Sequence, residues 1–267
     1  MNQSLEAFAA MSSPPVFALD LESLIRAKSI ATAVSASDSR PKISTKDRIL
    51  NATEALFITR GFDGTSLRAI TTDAAVNLAA VNYHFGSKEE LFALVLTRRI
   101  DALNEQRLRR LDALEAKGLD SVYGVEQIIA TLFLPALALA RDEAHGGADF
   151  LRLLGRAYAD PAPFVRSLLA ERYAATNARF KAAFARSLPD LGGEDLSMRL
   201  HFILDSVAAS LAADDVRRHL SGLKVSARTN DEDDLQFLVY LAPFLAAALR
   251  AAVRQPQQIA ALRALTA

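Results

Sequence analysis

The stretch NLAAVNYHFGSKEEL, residues 77–91, decides how this chain folds. It begins with Asn77, whose short amide side chain is well suited to cap a helix. Gly86 breaks that helix after about two turns, and Ser87 and Glu90 then have the spacing of a capping box, in which each side chain bonds the backbone of the other residue. We therefore predict a short helix between Asn77 and Gly86 and a longer helix that begins directly after it.

Two more capped helices are predicted upstream. Ser44 and Asp47 have capping-box spacing and open a helix that ends at Gly61, a residue suited to the left-handed conformation found at helix ends. After a turn, Thr65 or Ser66 caps a second helix. The inward positions of the three short helices are Ile49, Thr53, Leu56, Phe57, Leu67, Ile70, Ala74, Val81 and Phe85. Short helices with fresh caps at such close intervals are typical of a helix-turn-helix with its supporting helices.

The same region resembles the N-terminal DNA-binding domain of the TetR family of bacterial transcriptional repressors. The matching residues are Ile49, Leu50, Ala52, Leu56, Phe57, Gly61, Phe62, Gly64, Thr65, Ser66, Ile70, Ala75, Val76, Asn77, Tyr83, His84, Phe85, Ser87, Lys88, Glu89, Glu90 and Leu91. The run 76–88 is similar to a subgroup that includes the fatty-acid-responsive PsrA-type regulators. The resemblance implies an all-α fold, with a three-helix helix-turn-helix domain followed by a helical ligand-binding and dimerisation domain.

Several side chains of this region are predicted to contact DNA. Helix N-termini bind phosphate because they present free N–H groups and the positive end of the helix dipole. In the third helix, small apolar side chains can pack on thymine methyl groups and Asn82 can pair with adenine. The resemblance implies that Tyr83 and Lys88 contact phosphates. The full predicted set is Thr65, Ser66, Arg68, Asn77, Leu78, Ala79, Ala80, Asn82, Tyr83, His84 and Lys88. Taken singly, Ser66 or Asn77 would be an ordinary helix cap, a role that is compatible with phosphate contact.

The composition limits how DNA could be bound. The 267 residues carry 31 Lys and Arg against 31 Asp and Glu. Without a global positive field, binding must rest on a local patch that is doubled in a dimer. Cysteine is absent, which leaves no disulfides, thiol chemistry or cysteine metal site, and the four histidines are too scattered to predict a metal site. No cofactor is expected.

The remainder of the chain is predicted to be helical. We expect an extension at 1–41, a DNA-binding domain at 42–90, an effector-binding and dimerisation domain at 91–254, and a tail at 255–267. The helix that follows the DNA-binding domain is predicted to end at about residue 117. The later helices are predicted at 122–140, 148–159, 163 to about 187, 194–218 and 231–254. The apolar runs are shorter than the roughly 20 residues that cross a membrane and contain proline, so we expect a cytoplasmic protein.

The extension at 1–41 allows three interpretations. It lacks a basic start followed by a long apolar run, so it is not predicted to be a signal peptide. It is expected to be mostly disordered, with at most one helix, or to result from a start codon assigned too early. A third interpretation is an arm that contacts DNA. The positive charges of such an arm are Arg26, Lys28, Arg40, Lys42 and Lys46.

The last two long helices carry wide apolar faces. Their residues are Leu200, Ile203, Leu204, Val207 and Leu211 on one helix, and Phe237, Leu238, Leu241, Phe244, Leu245 and Leu249 on the other. The resemblance implies a homodimer in which these helices of two copies form a four-helix interface, and two-fold symmetry is what a palindromic operator requires. The alternative is that both helices belong to the core of a single copy.

The middle of the chain holds most of the aromatic residues, which at helical spacing usually form core. The resemblance implies that this region encloses an apolar cavity for a small effector, a kind of site that needs only a few polar anchors. The predicted ligand-binding residues are Phe133, Phe150, Arg152, Arg156, Tyr158, Tyr173, Asn177 and His201. An arginine among them could pair with a carboxylate, which would fit a fatty acid or an acyl conjugate.

The function expected from these observations is that of a ligand-responsive transcriptional regulator. We predict a repressor that binds a palindromic DNA operator as a homodimer and is released by a small hydrophobic effector. An enzyme is not expected, because the sequence has no nucleophile elbow, dinucleotide-binding glycine motif, phosphate loop or zinc-protease motif. The alternative is a helical adaptor with a degenerate DNA-binding domain that binds protein instead of DNA.

Overall fold

A computed structural model describes residues 44–120, 122–147, 149–212, 230–252 and 256–265. Within those ranges every regular element is helical, which confirms the predicted all-α fold. The helices are α1 (Thr45–Arg60), α2 (Leu67–Asp73), α3 (Leu78–Phe85), α4 (Lys88–Lys117), α5 (Gly124–Leu139), α6 (Asp149–Ala159), α7 (Pro163–Arg172), α8 (Ala174–Ser187), α9 (Gly193–Ala212), α10 (Asp231–Arg250) and α11 (Pro256–Arg263), with a single 3-10 turn at Glu143–His145 between α5 and α6.

The first helices begin where their caps were predicted. The side chains of Ser44, Ser66 and Asn77 accept hydrogen bonds from backbone N–H groups three residues further on, at 3.1, 3.2 and 2.8 Å. Before α4, Ser87 and Glu90 form a complete capping box. Each bond satisfies a donor that the first turn of a helix would otherwise leave free. These local bonds, and no distant contact, set the starts of α1 to α4.

A small core joins α1, α2 and α3 to the beginning of α4. Ile49 and Phe57 of α1, Ile70 of α2 and Phe85 of α3 are all buried. Phe92 of α4 meets Phe57 edge to face, with ring centroids 5.7 Å apart, a favourable arrangement for two aromatic rings. The predicted domain boundary after residue 90 therefore falls inside a helix, and α4 belongs to both halves of the protein.

The turn between α2 and α3 is held by an arginine from α1. Ala75 lies in this turn with φ at 50°, a left-handed conformation that costs an L-residue about 1–2 kcal/mol. Arg48 donates hydrogen bonds from one guanidinium nitrogen to the carbonyl oxygens of Ala74 and Ala75, at 2.5 and 2.7 Å. The charged donor stabilises the strained turn, and with it the angle between α2 and α3.

The C-terminal helices pack in two connected groups. α6 packs along α9 and also touches α1, whereas α5 lies between α4 and α10. Pro135 lies inside α5 without ending it. No helix in the part of the chain that the structure describes is long and apolar enough to cross a membrane.

One predicted helix is in fact two. The segment expected to run unbroken from 163 to about 187 is interrupted at Tyr173, whose φ and ψ of −106° and 13° leave the helical region. The Tyr173 hydroxyl donates a hydrogen bond to the Asp101 carboxylate of α4, at 2.8 Å. The adjacent Arg172 binds the same carboxylate. A contact with a distant helix therefore accompanies a break that no local Gly or Pro marks.

Some expectations concern residues outside those described. They are the whole extension at 1–41, the predicted helix ends at Arg218 and Arg254, the Ala148 start of the predicted 148–159 helix, and the Leu211 side chain. Of the predicted tail, 256–265 is described and is largely helical.

The Ala75 conformation leads to a stability test. We expect Ala75→Gly to raise the free energy of unfolding by roughly 0.5–1 kcal/mol. Glycine adopts positive φ without strain, and its larger loss of conformational entropy on folding offsets part of that gain. Ala55→Gly, at an exposed position within α1, should lower it by about 1 kcal/mol. Urea denaturation measures both, and a loss of stability in Ala75→Gly would contradict the strain at this turn.

Candidate DNA-binding surface

Helix α3 separates anchoring residues from exposed ones. Val81 and Phe85 are buried in the small core and fix the rotation of the helix. The three residues between them, Asn82, Tyr83 and His84, all face solvent, and the Tyr83 side chain is 86% exposed. The Tyr83 and His84 rings meet edge to face with centroids 5.1 Å apart. An exposed tyrosine, amide and imidazole on one helix form a surface of hydrogen-bonding groups that face solvent.

The first turn of α3 adds apolar surface to this set. Leu78 is 46% exposed and Ala79 is also exposed, whereas Ala80 is half-buried against the core. The Asn77 side-chain oxygen is occupied in the cap, so it holds the helix start in place. The sequence of α3 contains no Arg, Lys, Asp or Glu. The helix therefore offers no arginine fork of the kind that pairs with guanine.

The neighbouring helix starts carry the positive charge. Ser66 and Arg68 at the beginning of α2 are exposed. At the beginning of α4, the Lys88 ammonium lies 4.2 Å from the centre of the Phe62 ring and 5.7 Å from that of Phe92. These cation–π contacts hold the lysine beside the helix N-terminus, where its charge and the free N–H groups act on the same region.

Thr65 does not belong to this surface. Its side chain is completely buried, and its hydroxyl donates a hydrogen bond to the carbonyl oxygen of Gly61 at 2.8 Å. Ser66, not Thr65, caps α2. The prediction that Thr65 contacts phosphate is therefore wrong, because its hydroxyl is used to close the turn after α1.

A buried carboxylate joins α1 to α4. Glu54 of α1 is 6% exposed and accepts hydrogen bonds from Arg98 and from Arg99 of α4, the latter at 3.2 Å to both oxygens. Arg98 also donates to the side chain of Asn51. Arg99 donates to the carbonyl oxygen of Ala144, in the 3-10 turn before α6. Sequence reasoning missed this cluster, because Arg98 and Arg99 follow the usual pattern of a solvated helix face.

A second connection lies at the other end of α6. Asp160, which follows α6 and is 3% exposed, accepts a hydrogen bond from the backbone N–H of Phe62 at 3.2 Å. Arg156 lies 3.4 Å from the same carboxylate oxygen and packs against Gly61. The Phe62 ring also packs on Phe164 of α7, at 5.0 Å between centroids. The C-terminal domain thus contacts the segment after α1 through a charged side chain, a backbone hydrogen bond and a pair of aromatic rings.

The predicted ligand-binding residues do not converge on one place. Arg156 lies at the domain connection with Asp160, Arg152 pairs with Asp149 on the surface, and Tyr173 binds Asp101. Burial and the bond to Asp101 raise the pKa of the Tyr173 hydroxyl above its ordinary value, so it remains a donor to that carboxylate. The exposed members are Tyr158, Asn177 and His201, and the buried ones are Phe133 and Phe150.

The last long helices present an apolar face to solvent. On α10, Val239, Tyr240 and Phe244 fall on one stripe, with the two aromatic side chains 74% and 70% exposed. On α9, Phe202 is 61% exposed. Two residues of the predicted interface, Phe244 and Leu204, are exposed. Five predicted interface residues are instead buried within this copy: Ile203, Val207, Leu238, Leu245 and Leu249.

The chain matches two family models. Residues 49–95 match the model described as bacterial regulatory proteins of the tetR family, and residues 130–248 match the one described as the tetracyclin repressor-like C-terminal domain. The first match covers α2, α3 and most of α1. The second covers most of the helices after α4 and contains the apolar face of α10.

Similar proteins of known sequence match over short stretches of the chain. The probable HTH-type transcriptional regulator YttP of Bacillus subtilis is 47% identical over 47 residues, which are 18% of this chain and 23% of YttP. The HTH-type transcriptional repressor NicS of Pseudomonas putida is 39% identical over 69 residues, 26% of this chain and 32% of NicS. The chain thus matches about a quarter to a third of the length of these relatives.

Among solved structures, a candidate fatty acid metabolism regulator of Clostridium perfringens has a TM-score of 0.50 at 17% identity. The match covers 78% of this chain and 100% of that one. At this level of identity the similarity concerns the fold alone, and it extends that fold over both halves of the chain.

The connection at Gly61 can be measured against a matched glycine. Gly61 and Gly118 both end helices with positive φ, at 69° and 85°, so alanine at either is strained by roughly 1–3 kcal/mol. A Cβ at Gly61 would also lie 1.9 Å from Arg156 and 2.6 Å from Asp160, whereas one at Gly118 meets nothing within 4 Å.

We therefore expect Gly61→Ala to lower the free energy of unfolding by at least about 1 kcal/mol more than Gly118→Ala, because of the added overlap. Urea denaturation of both variants measures the difference. In an Arg156→Ala background the excess should shrink. Equal losses for the two variants would show that the Gly61 connection is looser than the distances indicate.

Proposed function

The chain belongs to the TetR family of bacterial transcriptional regulators, and from that premise we propose that it is a repressor released from DNA by a small hydrophobic effector. Its family and relatives are regulators of transcription, not enzymes. The observation that carries the proposal is the division of α3, in which Val81 and Phe85 anchor the helix while Asn82, Tyr83 and His84 stay exposed. An exposed recognition helix on a packed support is how this motif places side chains in the major groove.

The contacts with DNA divide into two kinds. Base readout is assigned to Asn82, which can pair with adenine, and to Leu78 and Ala79, which can pack on thymine methyl groups. Positioning on phosphates is assigned to Tyr83 and Lys88, together with the remaining exposed members of the predicted set. Those remaining members are Ser66, Arg68, Asn77 and His84, with Ala80 as a half-buried support. A half-site that contains A·T pairs is expected.

Two copies are needed to place two recognition helices. The exposed stripe of Val239, Tyr240 and Phe244 on α10, beside Phe202 on α9, is a large apolar surface for a monomer to leave in water. A second copy related by a two-fold axis would bury it and present the α3 helices about one DNA turn apart, ~34 Å. A palindromic operator follows from that symmetry.

Release by an effector requires a mechanical link between the two halves. The structure has two, Glu54 with Arg98 and Arg99 at one end of α6, and Asp160 with Phe62 at the other. Since α6 also packs along α9, a shift of α6 or α4 would be carried both to α1 and to the dimer face. The effector acts only through its different affinities for the DNA-binding and released states.

The alternative is an adaptor that keeps this fold but binds protein in place of DNA. The observation that favours an adaptor is that the exposed surface of α3 is neutral, since the helix contains no Arg or Lys. Selection of double-stranded DNA from a random-sequence pool by the purified full-length protein separates the two. Enrichment of a palindrome supports the repressor, and enrichment of nothing above the starting pool supports the adaptor.

The assignments on α3 predict different effects for two neighbouring substitutions. Tyr83→Ala should weaken binding to the selected DNA about tenfold or more, because a hydrogen bond to a charged phosphate is lost, and should leave the sequence preference unchanged. Asn82→Ala should abolish the preference at one position of each half-site. Fluorescence anisotropy on the selected site and single-base variants measures both effects.

Tyr158→Ala, at an exposed tyrosine of the C-terminal domain, is the control for Tyr83→Ala and should bind like the unchanged protein. If Tyr83→Ala binds as tightly as this control, Tyr83 does not contact the backbone. A preference that survives Asn82→Ala at every position would remove Asn82 from base readout.

The dimer face is tested by adding a charge to it. Phe244→Glu should convert the protein to a monomer, because a carboxylate would be buried without a partner in the proposed interface. Ala178→Glu, at an exposed position on α8, adds the same charge elsewhere and should remain dimeric. Light scattering after size-exclusion chromatography gives the mass, and a dimeric Phe244→Glu protein would place the interface elsewhere.

A further inference from the structure

Arg107 is a buried cation in the middle of α4. Its side chain is 6% exposed. Its Nε donates a hydrogen bond to the carbonyl oxygen of Leu132 on α5 at 2.9 Å, and one Nη donates to the side-chain oxygen of Asn104 at 3.1 Å. Both acceptors are neutral. The guanidinium therefore keeps its full charge between two helices, with donors left over from the five that it carries.

No carboxylate compensates this charge among the residues that the structure describes. The nearest acids of α4 are bound elsewhere: Asp101 by Arg172 and Tyr173, Glu105 by Arg109, and Asp112 by Arg179. On α5, Glu126 is bound by Arg250. Arginine is almost never fully buried without a charged partner, because losing water costs several kcal/mol that only an anion can offset. The other buried charges among the described residues, Glu54, Glu126, Asp160 and Asp234, each have an arginine partner.

Asn104, beside Arg107, carries an unsatisfied buried donor. It is also 6% exposed, and its Nδ2 is buried without any hydrogen-bond partner. The orientation of this amide is fixed, since arginine only donates and the Asn104 oxygen must therefore face Arg107. Its N–H groups then have no acceptor. Among the described residues, the Asn104 amide thus lacks an acceptor at the place where Arg107 lacks an anion, and a single carboxylate would supply both.

We propose that Arg107 and Asn104 bind the carboxylate of the effector between α4 and α5. One oxyanion could accept from both side chains, which lie in contact with each other. Near Leu132 on α5, Ile129 and Phe133 are apolar and buried, and the hydroxyl of the buried Thr131 already donates to the carbonyl oxygen of Ile128. The rest of the ligand is therefore apolar as well. The ligand class is a small carboxylic acid with an apolar remainder. This inference rests on the proposed function, to which it adds the site and the chemical class of the effector.

The position of Arg107 connects the site to the DNA-binding half. It lies on the same helix as Arg98, which binds Glu54 of α1. Nine residues separate them, which is about 14 Å along a helix that rises 1.5 Å per residue. An anion that draws Arg107 and Asn104 towards itself therefore acts on the helix that holds α1 in place.

The competing role for Arg107 is structural. Its bond to the Leu132 carbonyl lies close to Pro135, which has no N–H to give to α5. If Arg107 only stabilises this part of α5, removing it must lower the stability of the ligand-free protein. If Arg107 instead binds an anion, removing its charge must leave the stability of the ligand-free protein unchanged or raise it, because an uncompensated charge is removed.

The test uses the full chain and three substitutions. Arg107→Met removes the charge and keeps the length of the side chain. Asn104→Asp places a carboxylate within reach of the guanidinium and so supplies the missing anion from within. Arg109→Met removes an exposed arginine of the same helix and serves as the control. The probes are decanoate and oleate, each compared with its matching alcohol, by calorimetric titration and by thermal unfolding.

We expect the unchanged protein and Arg109→Met to bind at least one acid about ten- to a hundredfold more tightly than its alcohol, the usual gain from a charged hydrogen bond. Arg107→Met should bind acid and alcohol alike without a fall in Tm. Asn104→Asp should show a higher Tm, no preference for the acid, and weaker DNA binding even without a ligand.

The proposal is overturned if the unchanged protein prefers neither acid to its alcohol, or if Arg107→Met keeps the preference. A lower Tm for both Arg107→Met and Asn104→Asp would assign Arg107 to the structural role and overturn it as well. DNA binding of the unchanged protein without any acid is measured on the same samples. Its absence would contradict the repressor, whereas its presence without an acid preference would contradict the carboxylate site alone.

Discussion

The carboxylate of Glu54 is the contact on which the connection between the two halves of the molecule depends. It is buried on α1 and binds both Arg98 and Arg99 of α4, and through Arg99 it reaches the turn before α6. Removing one partner of a buried ion pair typically costs about 3–5 kcal/mol, because the other charge is left without compensation. Small displacements of α4 are therefore more easily passed on to α1 than absorbed at this contact.

Asp160 adds a second contact, which fixes the orientation of α1 relative to the C-terminal helices. One contact can act as a pivot, but the Glu54 cluster and the Asp160–Phe62 bond lie at opposite ends of α6, and a helix held at both ends cannot rotate freely against α1. The same helix packs along α9, next to the apolar face proposed for the dimer. The angle of each recognition helix and the arrangement of two copies are thus linked through one rigid element, as a spacing-dependent reader of a palindrome requires.

Local chemistry made the DNA-binding half predictable. Ser66, Asn77 and Ser87 cap their helices through bonds that span three residues, and such bonds are visible in the sequence. What failed depended on distant partners. The break at Tyr173 accompanies a bond to Asp101, 72 positions away, and the position of Arg156 beside Gly61 and Asp160 joins residues far apart in the chain. The apolar faces of α9 and α10 were recognised, but a helix with apolar residues on two sides does not reveal which side its own core will take.

The charges within the structure divide by whether the protein supplies their partner. Glu54, Asp160 and Glu126 are each matched by arginines of the same chain, so their burial is explained by the fold that they join. Among the described residues, Arg107 has only neutral acceptors, the carbonyl oxygen of Leu132 and the side-chain oxygen of Asn104. Sequences tend to retain such a local conflict where function requires it. Arg107 shares α4 with Arg98 and with Lys88 at the proposed DNA surface. An anion bound at Arg107 would therefore act on the same helix that contacts α1 and the DNA.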